Sequence, residues 1–219
     1  MAEVKIAADS GGGSVGLVGP ASTTSNAAVQ FKLPVADGSA NQHLKTDGSG
    51  QLGWVTEGVG GKILQVTGWT KTNTASSSTA SGSESSQWMS HSITPSATSS
   101  KVLVLINASI GVSGGTQIAL RLWIDGATPA AGTGNAGSAG NRRYVGSTGY
   151  INGCTGCIVT MPYSYLHSPS TTSAVTYGFT TLHSSGSTRT MYINRSHSYD
   201  DNTENHRAVS TITLMEVGA

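Results

Sequence analysis

The chain has 219 residues and a formal net charge of +1, with Asp, Glu, Lys and Arg making up 11% of it, less than half the ~25% usual in soluble domains. Glycine takes 29 of the 219 positions, about 13% against a usual ~7%. This balance excludes a strong field for nucleic acid or an acidic membrane surface. With no long Ala/Leu/Glu/Lys stretches, it suits an all-β, turn-rich protein that buries much of its surface against copies of itself.

Residues 1–14 end in "SGGGS", an extended or flexible lead-in. No charged-then-apolar leader precedes it, and no apolar run approaches the ~20 residues needed to cross a bilayer. Synthesis in a cytosol and a soluble product are the expectation. From Val29 to Ala36 the sequence alternates: Val29, Phe31, Leu33 and Val35 against Gln30, Lys32, Pro34 and Ala36. A period of two predicts a strand with one apolar face, and Pro34 places it at an edge or a strand end. "ADGSAN" and "TDGSGQ" follow as Asp-Gly turns. Residues 1–60 offer little to cover that apolar face. It must be buried by a second sheet of the same chain or by a neighbouring subunit.

Beyond residue 61 short strands recur. "GKILQVTGWT" reads as a strand, and "TNTASSSTASGSESSQ" as a loop or weak edge strand. The continuous apolar run Val102 to Ile106 reads as a strand buried on both faces. In "TQIALRLWIDG", Ile118, Leu120, Leu122 and Ile124 face one way and Arg121 the other, and Asp125-Gly126 supplies the turn. "ATPAAGTGNAGSAGN" is a Gly/Ala-rich surface loop. Val159, Met161, Tyr163 and Tyr165 share one face of a further strand. "SAVTYGFTTLH", "RTMYINRS" and "AVSTITLMEVG" complete a set that predicts an antiparallel β-sandwich of the jelly-roll sort.

Candidate chemistry is sparse. Cys154 and Cys157 form "CTGC", but no helix follows for a redox motif and no second pair exists for zinc. The pair reads as two small thiols, with a disulfide, a metal or redox catalysis as the alternatives. His197, Asp200, Asp201, Glu204 and His206 fall within ten residues. Their spacing matches no calcium loop, and a solvated polar loop is the simpler reading. There is no "GxSxG" elbow, and the 11 acidic residues stand mostly in turn-like contexts, which argues against a glycan-cleaving pair. "NRS" at Asn194 matches a glycosylation acceptor pattern. Trp54, Trp69, Trp88 and Trp123 read mainly as core or interface residues. Trp69 and Trp88 border polar loops, and they are the expected exposed pair for surface recognition.

The stretch "GLVGPASTTSNAAVQFKLPVADGSANQHLKTDGSGQLGW", residues 16–54, resembles a module of tail-fibre and virion-decoration proteins of marine and freshwater bacteriophages. The family pattern is a "GPAS" entry, an apolar strand ending in "LP", a "DG" turn and "LKTDGSGxLxW". "SITPSATSSKVLVLI", "HSPSTTSAVTYGFTTL", "MYINRS" and "STITLMEV" resemble the C-terminal domains of the same proteins. The resemblance implies a homotrimeric virion component: an N-terminal arm over residues 1–60 with short strands, then a trimerising jelly-roll-like sandwich over 61–219.

It implies no catalytic residue, cofactor or metal. The implied partners are the chain itself and other virion proteins, the major capsid protein first, with a host-surface glycan as a further candidate and neither nucleic acid nor membrane. Because the module stands near the front of this sequence, the expectation is a capsid decoration or cement protein gripped through Val29, Phe31, Leu33 and Val35. The alternative is a short tail fibre or spike whose loops 72–87, 127–142 and 197–206 meet the host. In a trimer, Cys154 and Cys157 would face other subunits near the axis.

Overall fold

The computed structural model describes residues 3–7, 14–18, 23, 30–56, 62–129, 133–136, 142–154, 156–198 and 205–218, the first two stretches by their backbone alone. Every regular element among them is a strand, and every strand pairing is antiparallel. The chain divides into two compact units, Met1–Gly58 and Val59–Ala219.

The first unit contains two hairpins. Strands β1 (Glu3–Ala7) and β2 (Ser14–Val18) form one, and β3 (Gln42–Thr46) and β4 (Leu52–Thr56) form the other. The second hairpin closes as its Asp-Gly motif predicts. The Asp47 carboxylate accepts the backbone N–H groups of Ser49 (2.7 Å) and Gln51 (3.1 Å), an Asx-type turn, and Gly48 and Gly50 carry the positive φ values it needs. Trp54 donates its indole N–H to the Ala36 carbonyl at 2.8 Å.

The strand predicted across Val29 to Val35 does not form. Val29 lies outside the described residues. Phe31 to Val35 touch the hairpin by one bridge, Lys32 beside Gln51, with the Lys32 N–H donating to the Gly50 carbonyl at 2.8 Å. Pro34 has no N–H to extend the ladder, and among the described residues the rest of the segment pairs with no strand.

The second unit is an antiparallel β-sandwich, and its strand order is that of a jelly roll. Its rows run in chain order. First come β5 (Ile63–Lys71) with β6 (Ala75–Thr79), then β7 (Met89–Ile93), β8 (Lys101–Val112), β9 (Thr116–Ile124) and β10 (Ser147–Ile151). After these come β11 (Val159–His167), β12 (Val175–His183) and finally β13 (Arg189–Ile193) with β14 (Ser210–Val217).

β8 pairs with three strands but has two flanks. β11 overlaps both β14 and β13 along it, so β13 and β14 share the opposite flank as one broken row. Each then carries a strand of the other broken row, β6 on β13 and β5 on β14. The larger sheet thus orders the rows first, eighth, third, sixth, and the smaller sheet, β7-β12-β9-β10, orders them second, seventh, fourth, fifth. Two interlocked Greek keys result.

The core lies between these sheets. Val102, Val104, Ile106 and Ile110 of β8 meet Ile118, Leu120 and Leu122 of β9 and Tyr177 and Phe179 of β12 in one buried cluster. Full burial of each such side chain is worth roughly 1.5–3 kcal/mol. The alternation read from the sequence in β9 and β11 is the one observed, with Met161 fully buried and Tyr163 and Tyr165 packed on the cluster. Asp125 and Gly126 both take positive φ, the geometry of a type I′ turn. Asp125 also accepts the Thr176 N–H at 2.7 Å. The Ser-rich stretch forms an edge strand, β6, as one of its two readings had it.

The breaks in the two broken rows meet at Asn194. This residue is fully buried, at φ 61°, a left-handed conformation that Asn tolerates better than most residues. Its amide donates to the carbonyls of Lys71 (2.7 Å) and Asn73 (3.0 Å), and its side-chain oxygen accepts the Ser210 hydroxyl at 2.6 Å. Ser210 in turn accepts the Ser109 N–H of β8 at 3.0 Å. The "NRS" pattern therefore marks a structural node, not an accessible acceptor.

Candidate functional site

Three surface features bear on function. The first is in the N-terminal unit. Phe31, Leu33 and Val35 are 66%, 70% and 107% exposed, so the apolar set read from the sequence as an assembly strand stands uncovered. Val29, its fourth member, is not among the described residues.

The second is the outer face of the larger sheet. Because strand partners are in register, Leu166, Leu103, Met215 and Val66 form one cross-strand row on the side away from the core. Ser164, Leu105, Thr213 and Gly68 form the next. No residue in either row is charged. Leu103, Leu105 and Met215 are half-buried, and Val66 and Leu166 are exposed. The apolar run Val102 to Ile106 predicted a strand covered on both sides. Within this unit only the side bearing Val102, Val104 and Ile106 faces the core.

The third feature lies on the outer face of the smaller sheet. Thr148 of β10, Ala119 of β9 and Leu182 of β12 form a row. With Gln117, Ser184, Val145, Arg142 and Arg143 they line a cleft of about 320 Å³. Segment 142–146 is tied down over this face. Gly146 donates to the Leu120 carbonyl at 2.8 Å, and the Tyr144 carbonyl accepts from Arg121 Nε at 3.0 Å.

Arg121 also bridges to Glu84 at 2.5 Å and lies over the Tyr144 ring at 4.5 Å. Glu84 accepts further bonds from Thr128 (2.9 Å) and Thr180 (2.7 Å). Burial pushes its pKa up, but bonds from Thr180, Arg121 and Thr128, with the Arg121 charge, outweigh it and hold it below the usual carboxylate range. Arg121 was legible only as an outward-facing residue. Its partner 37 positions away left no local signal.

The other candidates fare differently. Trp69 is 43% exposed, with Lys71 Nζ 5.9 Å from its ring. Trp88, expected at the surface, is 6% exposed. Its indole N–H donates to Thr181 Oγ1 at 2.7 Å inside the core, so the two tryptophans do not form one surface. The polar residues around Trp88 in sequence concealed its place just before β7, where the chain enters the core.

Cys154 and Cys157, expected as two thiols, are joined in a disulfide, with Cα atoms 5.4 Å apart. Gly153, at φ 66°, turns the chain beside them, and Cys157 packs on the core. The disulfide alternative is the one realised.

Of the His/Asp cluster, Asp200, Asp201 and Glu204 lie outside the described residues. His197 Nδ1 is 3.0 Å from the Tyr192 hydroxyl. Among the described residues no three His, Cys, Asp or Glu side chains group as a metal site would. His167 Nδ1 is 2.8 Å from the Tyr177 hydroxyl. Burial lowers its pKa against the opposing Asp125 charge.

No protein-family model matches the chain, and no curated protein matches it. Solved structures of infectious bursal disease virus are similar in part. The structure of the Gx strain aligns at 13% identity with a TM-score of 0.35, over 77% of this chain and 40% of that one. The VP2 subviral particle aligns at 14% identity with a TM-score of 0.32, again over 77% and 40%. The chain thus spans about two-fifths of the length of these structures.

Proposed function

We propose that this chain is a virion structural protein, a homotrimeric decoration or cement protein that grips the major capsid protein through its N-terminal segment. The observation that carries this reading is the uncovered set Phe31, Leu33 and Val35, next to a "GPAS…LP…DG…LKTDGSGxLxW" sequence resembling phage virion proteins. Large apolar side chains left in water are costly, and an extended segment carrying them gains by adding to another chain's surface. Three such arms on one trimer act together through effective concentration, so each contact can be weak.

The outer face of the larger sheet, with its two uncharged cross-strand rows, is the surface through which copies of the chain pack together. Neither contact uses strong charge, so both tolerate high salt. Catalysis forms no part of this reading. The tail-fibre or spike reading shares the fold and differs in address.

Copy number decides between them. The chain is quantified against the major shell protein in purified particles, by gel densitometry or mass spectrometry. Hundreds of copies per particle support a shell component, and a few dozen or fewer overturn it in favour of the tail.

A further inference from the structure

We infer that the cleft on the outer face of the smaller sheet is a binding site for a carboxylate-bearing sugar. Arg142 and Arg143 would take its acid group, and Gln117, Thr148 and Ser184 its hydroxyls. The inference goes beyond the virion reading and stands on the cleft alone, whether the protein sits on shell or tail.

Arg143 is held in advance. Its Nη1 donates to the Gly82 carbonyl at 2.6 Å. Gly82 has φ +76°, and a Cβ there would lie 1.6 Å from the guanidinium. Glycine suits that position by its conformation, and any Cβ there would have to push the Arg143 guanidinium aside. A guanidinium has five N–H donors, so docking on one carbonyl leaves most of the fork for a ligand. An arginine fixed before binding loses less side-chain entropy when a ligand arrives.

Glu84, two positions from Gly82, is engaged by Arg121, Thr128 and Thr180. Arg142 forms no ion pair among the described residues. The two cleft arginines therefore present positive charge that Glu84 does not neutralise.

The rest of the lining defines the ligand. Planar, forked guanidinium groups match a carboxylate in bidentate fashion. The Gln117 amide and the Thr148 and Ser184 hydroxyls each both donate and accept, as a ring of sugar hydroxyls requires. Ala119, Leu182 and Val145 supply apolar surface for the C–H face of a pyranose. Tyr150 pairs across the strands with Gln117 and follows Thr148 on the same face. It is 64% exposed, an aromatic plate at the cleft's edge. A bare phosphate would use the arginines and leave everything else idle. A purely apolar ligand would strip water from the arginines without replacing it. The volume sits near the lower end of the ~300–1,000 Å³ usual for small-ligand clefts, room for one or two sugar rings.

The test uses the intact chain and three acids: D-glucuronate, D-galacturonate and N-acetylneuraminate. Glucuronate methyl ester serves as the neutral control and inorganic phosphate as the bare anion. Binding is followed by saturation-transfer NMR and calorimetry.

At least one acid is expected to bind, about tenfold or more tighter than its ester or phosphate, and to weaken as salt is raised. Arg142→Ala/Arg143→Ala abolishes binding, Tyr150→Ala weakens it, and Gly82→Ala weakens it by displacing Arg143. Thermal melts confirm that each variant is folded. If the double variant does not fold, Arg142→Ala alone carries the test. The proposal is overturned if no acid binds, if ester and acid bind equally, or if the folded arginine variant binds as well as the parent. Phosphate binding equal to the acid would reduce the cleft to a simple anion site and overturn the sugar assignment.

Discussion

Glu216 shows how far a single side chain can depart from what its sequence position suggests. It sits in the alternating strand "STITLMEV" at a position on the buried face, and it is 1% exposed. A lone carboxylate there would be very costly, so its donors decide the outcome. Ser96 donates its N–H (2.7 Å) and hydroxyl (2.6 Å), Gln65 its amide (2.6 Å), and Ser100 its hydroxyl.

Burial raises the Glu216 pKa, but the bonds from Ser100, Ser96 and Gln65 outweigh it and bring it to about 2 from an ordinary 4.5. The lowered folded-state pKa stabilises the native chain at pH values above the unfolded-state pKa. That stability drains away as pH falls from about 4.5 towards 2 and amounts to about 3 kcal/mol. Glu216→Gln should therefore flatten the acid limb of a urea-midpoint-against-pH curve below pH ~5 and lower the midpoint at neutral pH. An unchanged acid limb would show that another carboxylate dominates.

Strands and their joints carry the next level of organisation. The period of two in β9 and β11 was plain in the sequence, because each strand needed only to present one side to a core. The two broken rows were not, since their alignment depends on Asn194 bonding to Lys71 and Asn73 across more than 100 residues of chain, and to Ser210 across 16. Asn194→Ala removes those bonds, takes an amide donor from the buried Lys71 carbonyl and from the part-buried Asn73 carbonyl, and places Ala in a left-handed conformation. Each orphaned group costs about 1–3 kcal/mol, so the variant should lose at least ~3 kcal/mol in equilibrium unfolding. Asn194→Gly relieves the backbone but not the bonds, and should recover only part of the loss.

The Cys154–Cys157 disulfide spans a sequence separation of 3. So short a loop restricts the unfolded chain little, by about 2 kcal/mol or less. Cys154→Ser/Cys157→Ser should lower Tm by no more than about 4–8 °C and leave the fold intact. A collapse of the fold would mean that the bridge holds more than its own loop.

For the whole molecule the question is which surfaces meet other chains. The trimer reading predicts a sedimentation mass of three chains, largely independent of salt between low and molar NaCl because the two cross-strand rows that pack the copies together carry no charge. Leu103→Ser/Leu166→Ser on the outer face should shift that mass towards the single chain. Phe31→Ser/Leu33→Ser/Val35→Ser should leave the trimer and its melting unchanged while reducing retention on particles at least about tenfold. Loss of both properties together would place the assembly contact in the N-terminal unit alone.

The amino-acid order was sufficient for the all-β class, the sandwich, the Asp47-Gly48 and Asp125-Gly126 turns, and the inward faces of β9 and β11. All of these are properties of a few neighbouring residues: a pleat alternates side chains whatever lies beside it, and a tight turn selects residues that accept positive φ. What it could not show was which strands lie side by side. That depends on pairings between distant segments, each stable only once the others have formed. The same reason hid the burial of Trp88, the disulfide in a motif with several chemistries, and the donors around Glu216. It also hid the arginine-rimmed cleft, whose residues come from positions 117–119, 142–148 and 182–184 and become neighbours only when the jelly roll closes.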